Sequence, residues 1–70
     1  MKTIYPNLTK ELSLRGMTYR QLADEMGMSH LAMYRRLTGI TRWSLCEAIR
    51  IRKFFNGMDI YYLFQEKEGR

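Results

Sequence analysis

The sequence predicts an all-α fold, a compact arrangement of five short helices in one domain, and three observations predict it. Glycine recurs at Gly16, Gly27, Gly39 and Gly57, each just past a segment with helical apolar spacing, where a residue of positive φ ends a helix. Thr18 with Gln21, and Ser44 with Glu47, carry the spacing of capping boxes at two helix starts. No segment alternates apolar and polar residues as a half-buried strand does. The stretch from Asp59 to Phe64 is aromatic enough to pass for a strand, but its place after a capping Asp decides for helix.

In chain order, the first helix is expected from Asn7 as N-cap to Arg15, with Leu8 and Leu12 one turn apart on the core side; Pro6, the only proline, precedes it. The second opens at Thr18 and buries Leu22, Ala23 and Met26. Ser29 caps the third, in which Met33 and Leu37 form the inward pair before Gly39 stops it. Ser44 caps the fourth, whose inward stripe is Leu45, Ala48, Ile51 and Phe55, with Trp43 stapled onto Ala48. Asp59 caps a short fifth helix that turns Ile60, Leu63 and Phe64 to the core. Residues 1–70 thus read as one domain with a core from about residue 5 to 64 and a frayed polar tail over 65–70.

Composition narrows the partners. In a 70-residue chain every helix must supply core side chains, and dimerisation would add stability by mass action. Twelve Lys and Arg against seven Asp and Glu give a formal charge of +5, which favours a polyanion, with nucleic acid first. Cys46 is the sole cysteine and His30 the sole histidine, so neither an intrachain disulfide nor a zinc site built on cysteines is expected, and a reducing cytoplasm fits. Cys46 itself reads as a partly buried small side chain. No secretory leader or membrane-length apolar run is read in the sequence, so no membrane partner is expected.

Two short helices joined by a tight glycine turn set TYRQLADEM at an angle to SHLAMYRRLT, the arrangement that lets a second helix enter the DNA major groove. Ala23 falls where the two helices cross closely, Gly27 where the turn needs positive φ, and Met33 where the second helix returns to the shared core. With these landmarks in register, the sequence resembles the Cro/CI-type helix-turn-helix family, also called XRE-like or lambda-repressor-like, found in phage repressors and many bacterial regulators. The resemblance spans roughly Leu8 to Phe64 and is carried by MTYRQLADEMGMS, MYRRLTG, WSLCEAIRI and DIYYLF. It implies a five-helix lambda-repressor-like domain, operator-type double-stranded DNA as ligand, and often a two-fold homodimer; in this family an aromatic C-terminal segment commonly contributes to dimerisation, here Tyr61, Tyr62 and Phe64, although a core this small calls on the same aromatics to complete it. Tyr19 departs from the family, which often has Gln there, and Arg36 stands where many members keep an apolar residue.

If Met33 and Leu37 face inward, the third helix offers His30, Leu31, Tyr34 and Arg35 for base readout. Arg35 leads, because a planar guanidinium bonds both acceptors on a guanine edge; Leu31 suits a thymine methyl. Tyr19, Arg20, Ser29, Arg36, Thr41 and Arg42 flank that helix as phosphate contacts, Ser29 also serving as its cap. Arg50, Arg52 and Lys53 read as a solvated face on the fourth helix, and Glu11, Asp24, Glu25 and Glu47 as ordinary surface or capping residues.

Catalysis is not expected, since the lone His and lone Cys lie in different helices with no supporting motif, and no cofactor, metal or small-molecule substrate is indicated. The rival reading is a small modulator of the same fold that binds a partner repressor protein. Leu31 and Tyr34, apolar or aromatic where polar base-reading groups are expected, favour that rival; Arg35, Arg36 and the excess positive charge favour DNA.

Overall fold

The computed structural model describes residues 2–67, in which five helices follow one another: α1 (Pro6–Leu14), α2 (Tyr19–Met26), α3 (His30–Leu37), α4 (Leu45–Phe54) and α5 (Ile60–Leu63). No strand occurs among the described residues. The helices start where their caps dictate. Thr18 and Ser44 each form a reciprocal capping box with Gln21 and Glu47, Ser29 Oγ accepts the amide of Ala32, and Asp59 accepts that of Tyr62.

The start of α1 corrects the expectation. Tyr5 is the N-cap and Pro6 the first helical residue, with no side-chain cap bond. Proline lacks one of the N–H groups that a helix start leaves unpaired and its φ is already helical, so the helix opens at Pro6 and Asn7 becomes its second residue instead of its cap. The Asn7 amide instead donates to the Tyr62 carbonyl at 2.9 Å and to Gln65 Oε1 at 3.3 Å, tying α1 to the end of α5.

The core collects Leu8 and Leu12 from α1, Leu22, Ala23 and Met26 from α2, Met33 and Leu37 from α3, then Ile51, Phe55 and Leu63, with Tyr5 at its edge. The expected stripe on α4 holds only in part. Ile51 and Phe55 are fully buried and Ala48 is half-buried, but Leu45 is 73% exposed. Steps of three residues fall about 60° short of a full turn at 3.6 residues per turn, so Leu45 ends about 120° away from Ile51 around the helix. Cys46, expected to be partly buried, is exposed on the same helix. Trp43 packs edge-on against Phe64 with ring centroids 5.4 Å apart, and with Ala48 it borders one shallow depression.

α2 packs chiefly on α3, while α5 lies against both α1 and α4 in a body of 32 × 25 × 25 Å. The segment before α1 closes it. The Ile4 amide donates to the Leu37 carbonyl at 2.9 Å, and the Ile4 carbonyl accepts the Lys67 amide at 2.7 Å. Of the tail expected to fray, Lys67 is therefore held to the body; residues 68–70 lie outside the described residues. The Ile4 side chain also lies under Gly39, where φ is +87° and an added Cβ would come within 2.9 Å of Ile4 Cδ1. The positive φ is what favours glycine there, since the end of the Ile4 side chain could swing away from a Cβ.

Glu11, expected as a surface residue, is a cross-link. It pairs with Arg15 at 3.3 Å, and its Oε2 accepts the Tyr62 hydroxyl at 3.0 Å. Arg15 in turn lies 4.6 Å above the Phe55 ring.

Leu37 is 1% exposed and its carbonyl receives the N-terminal segment, so Leu37→Ala opens a cavity where two parts of the chain meet. The expected loss is about 2–5 kcal/mol of unfolding free energy, measured by urea denaturation.

Candidate nucleic-acid interface

The candidate surface is the α2–α3 unit. Gly27, at φ +68°, reverses the chain after α2, and the Met28 amide returns to the Ala23 carbonyl at 2.9 Å, so only Gly27, Met28 and Ser29 separate the helices. Ala23 is completely buried at the crossing. Met33 and Leu37, at 0% and 1% exposure, anchor α3 from inside, which turns Leu31 and Arg35 outward one helical turn apart.

The four residues expected to read bases differ in how they are held. Leu31 is 55% exposed. Arg35 is exposed and forms no ion pair among the described residues. Tyr34 is on the edge of the α2 side, its ring centroid 6.4 Å from that of Tyr19 and tilted by 54°. The two rings thereby link α2 and α3 by an aromatic contact. His30 Nε2 lies 2.9 Å from Asp24 Oδ1, joining the start of α3 to α2 at an exposed pair. Both Tyr34 and His30 are thus positioned by α2, while the Arg35 side chain has no ion pair among the described residues.

Among the expected phosphate contacts, Arg20 is exposed with its guanidinium 5.4 Å over the Tyr19 ring. Ser29 is spent on capping, its Oγ accepting Ala32 N–H at 3.0 Å. Thr41 is half-buried after α3, its amide donating to the Arg35 carbonyl at 3.1 Å. Arg42 is exposed and borders the depression shared by Tyr5, Trp43 and Glu66. Burial and the Glu66 charge raise the Tyr5 phenol above its ordinary value, and Arg42 opposes them.

Arg36 departs from its expected outward role. Its Nε and Nη2 each donate to Glu47 at 3.0 Å, and its Nη1 donates to the Ala32 carbonyl at 3.2 Å. The guanidinium is turned along the flank of α3 towards α4, where a bidentate fork with a carboxylate uses the donors that a phosphate would need. Glu47 also accepts the Ser44 amide, so one carboxylate closes the α4 cap and holds α3. These contacts, the Arg36 hydrogen bonds foremost, hold its carboxyl below the usual carboxylate value despite the opposing effect of burial.

The aromatic segment is held within its own chain at two points. Tyr62 is bonded to Glu11, which raises its phenol above the ordinary value, and Phe64 is wedged edge-on between Tyr5 and Trp43, at 5.8 and 5.4 Å. Both complete the packing of their own chain. Tyr61 is 88% exposed, and Tyr61, Tyr62 and Phe64 together line an open depression on the surface.

Sequence reasoning missed two positioning residues. Glu47 could have been found, because a charged Arg36 at an otherwise apolar position calls for a nearby acid. Arg50, read as solvated, donates to the Met26 carbonyl at 2.7 Å and satisfies the C-terminal end of α2 from α4. Nothing local in the sequence marks that bond. Among the described residues no group of His, Cys, Asp or Glu could hold a metal ion, and no helix is long and apolar enough to cross a membrane.

The Glu47 interactions generate a pH-dependent expectation. A carboxyl whose value is lowered on folding contributes stability that is complete above its unfolded value, 4.5, and is lost as pH falls through the lower folded value. Glu47→Gln should therefore cost roughly 1–2 kcal/mol at pH 7, between an exposed ion pair and a charge-assisted hydrogen bond. Urea denaturation of the two proteins at pH 7 and then stepwise below 4.5 should show that gap narrowing with acid; a constant gap would leave Glu47 with packing or capping alone. The protein-family models, curated proteins and solved structures compared with this chain include no match to it.

Proposed function

We propose that the chain binds double-stranded DNA in a sequence-dependent way, as a Cro/CI-type transcriptional regulator that inserts α3 into the major groove. One observation carries this reading: α3 is anchored by the fully buried Met33 and Leu37 and braced at its flank by Arg36, while the exposed Arg35 forms no ion pair among the described residues. A short helix with a rigid inner face and an uncommitted guanidinium on its outer face has the parts that base readout needs. The net charge of +5 supplies the sequence-independent attraction to phosphate.

Within this reading Arg35 bonds a guanine edge, Leu31 contacts a thymine methyl, and Tyr34 and His30 take base or phosphate contacts at the α2 side. Arg20, Thr41 and Arg42 meet the phosphates, with the amides at the start of α3 beside them. Arg36 acts indirectly by fixing the angle of α3. No catalytic chemistry is part of the proposal.

Leu31 favours a second reading. More than half of this leucine is exposed on the outermost line of α3, where a hydrophobic partner surface would bury it better than a groove edge would. The same face would then bind a partner repressor protein in place of DNA.

Selection from a pool of random duplexes, followed by titration of the winner and a scrambled duplex at several salt concentrations, separates the two. A preferred sequence and affinity that falls steeply with salt are expected. Arg35→Ala should then lose about 1–3 kcal/mol of discrimination at one base pair while keeping non-specific binding. Failure to enrich any duplex would sink the DNA reading and leave the protein partner.

A further inference from the structure

On α4 the side opposite Ile51 and Phe55 carries Leu45, Cys46 and Ile49, all exposed, followed by Lys53 and flanked by Arg52. Single exposed aliphatic residues are ordinary on a protein surface. Here two of them stand one turn apart, 73% and 37% exposed, and neither belongs to the buried core. Leu45 is the first residue of α4, a position where an acidic or polar side chain would suit the helix better, and it adds no side chain to the core. Just beyond them, Arg52 and Lys53 form no ion pair among the described residues, because the acid on α4, Glu47, is turned to Arg36.

We infer that this face of α4 docks an acidic amphipathic helix of a partner protein, whose aliphatic residues cover Leu45 and Ile49 and whose carboxylates meet Lys53 and Arg52. Charge decides among the occupants. A second copy placed two-fold on the same face could set its own aliphatic pair against Leu45 and Ile49, but it brings no free α4 carboxylate to Arg52 and Lys53, since Glu47 is held by Arg36, and the chain already carries +5. A DNA backbone would satisfy the cations but leave Leu45 and Ile49 without an apolar partner. A lipid surface needs a deeper apolar face than two aliphatic side chains on a helix packed into a bundle. An acidic amphipathic helix satisfies both halves of the face, the apolar start and the basic end. This surface does not depend on what α3 binds.

The test is a selection of displayed peptides of about 15 residues, the length at which isolated helices begin to form, against the immobilised full chain. Winners with an aliphatic pair one turn apart and flanking Glu or Asp are expected, with affinity that falls at least about tenfold on Leu45→Asp. Lys53→Gln should weaken the same peptides at low salt and have little effect at high salt. Asp at the first position of a helix is favourable, so Leu45→Asp should fold, with unchanged circular dichroism and melting temperature as the control. Winners without acidic residues, or binding indifferent to both substitutions, would overturn the inference. It would equally fall if phosphatidylglycerol vesicles bound the chain through Leu45, or if sedimentation showed a dimer that Leu45→Asp dissolves.

Discussion

Everything on the surface of α3 depends on the burial of Met33 and Leu37. A chain this short encloses few fully buried side chains, and these two occupy its centre with Leu8, Leu22, Ile51, Phe55 and Leu63. Because side chains one turn apart share a helix face, anchoring this pair fixes the rotation of the entire helix. Leu31 and Arg35 are outward as a consequence, with no further interaction needed to turn them. The Leu37 carbonyl also receives the amide of Ile4, so the N-terminal segment is bonded to the same residue whose side chain plugs the core.

Burial sets the rotation of α3 but leaves its tilt to polar contacts along the flanks. On the α4 side the Arg36–Glu47 fork fixes one distance, and on the α2 side the Asp24–His30 pair and the Tyr19–Tyr34 contact fix the other. The two sides differ in strength. The fork is partly buried, bidentate and shared with the α4 cap, whereas His30 and Asp24 are exposed and screened by solvent. Arg50 completes the frame by bonding the last carbonyl of α2 from α4. α4 thus holds both helices of the unit, through a side chain at one point and the backbone at the other.

Local signals were legible in the sequence and long-range ones were not. The capping boxes at Thr18 and Ser44, the turn at Gly27 and the inward pairs on α1 and α3 each depend on residues within a few positions of one another, and the structure has them. Asn7 was misread because a good N-cap residue stood next to Pro6, which itself starts the helix. Leu45 was misread because a drifting spacing of three was extended one step too far. For Tyr62 and Phe64 the sequence left core packing and a contact between copies both open, because nothing local in it shows that Glu11 and Tyr5 reach them. The candidate surface follows the same division: the outward turn of Leu31 and Arg35 was readable from periodicity, but the capture of Arg36 by an acid eleven residues on was not.

The distribution of charge then matters more than its sum. The acids are largely engaged within the fold: Glu11 with Arg15 and Tyr62, Asp24 with His30, Glu47 with Arg36 and Ser44, and Asp59 in capping α5. Each such bond lowers the ability of that carboxylate to neutralise a distant cation. Arg20, Arg35 and Arg42 around α3, and Arg52 and Lys53 on α4, are left facing solvent without an ion pair among the described residues. Opposite charges interact strongly only within a few ångströms in water, so these cations behave as two local fields, one around α3 and one at the end of α4. The first field is accompanied by a side chain suited to a base edge and the second by a pair of aliphatic side chains. A single polyanion cannot satisfy both, which is the physical reason for assigning the two faces to ligands of different chemistry.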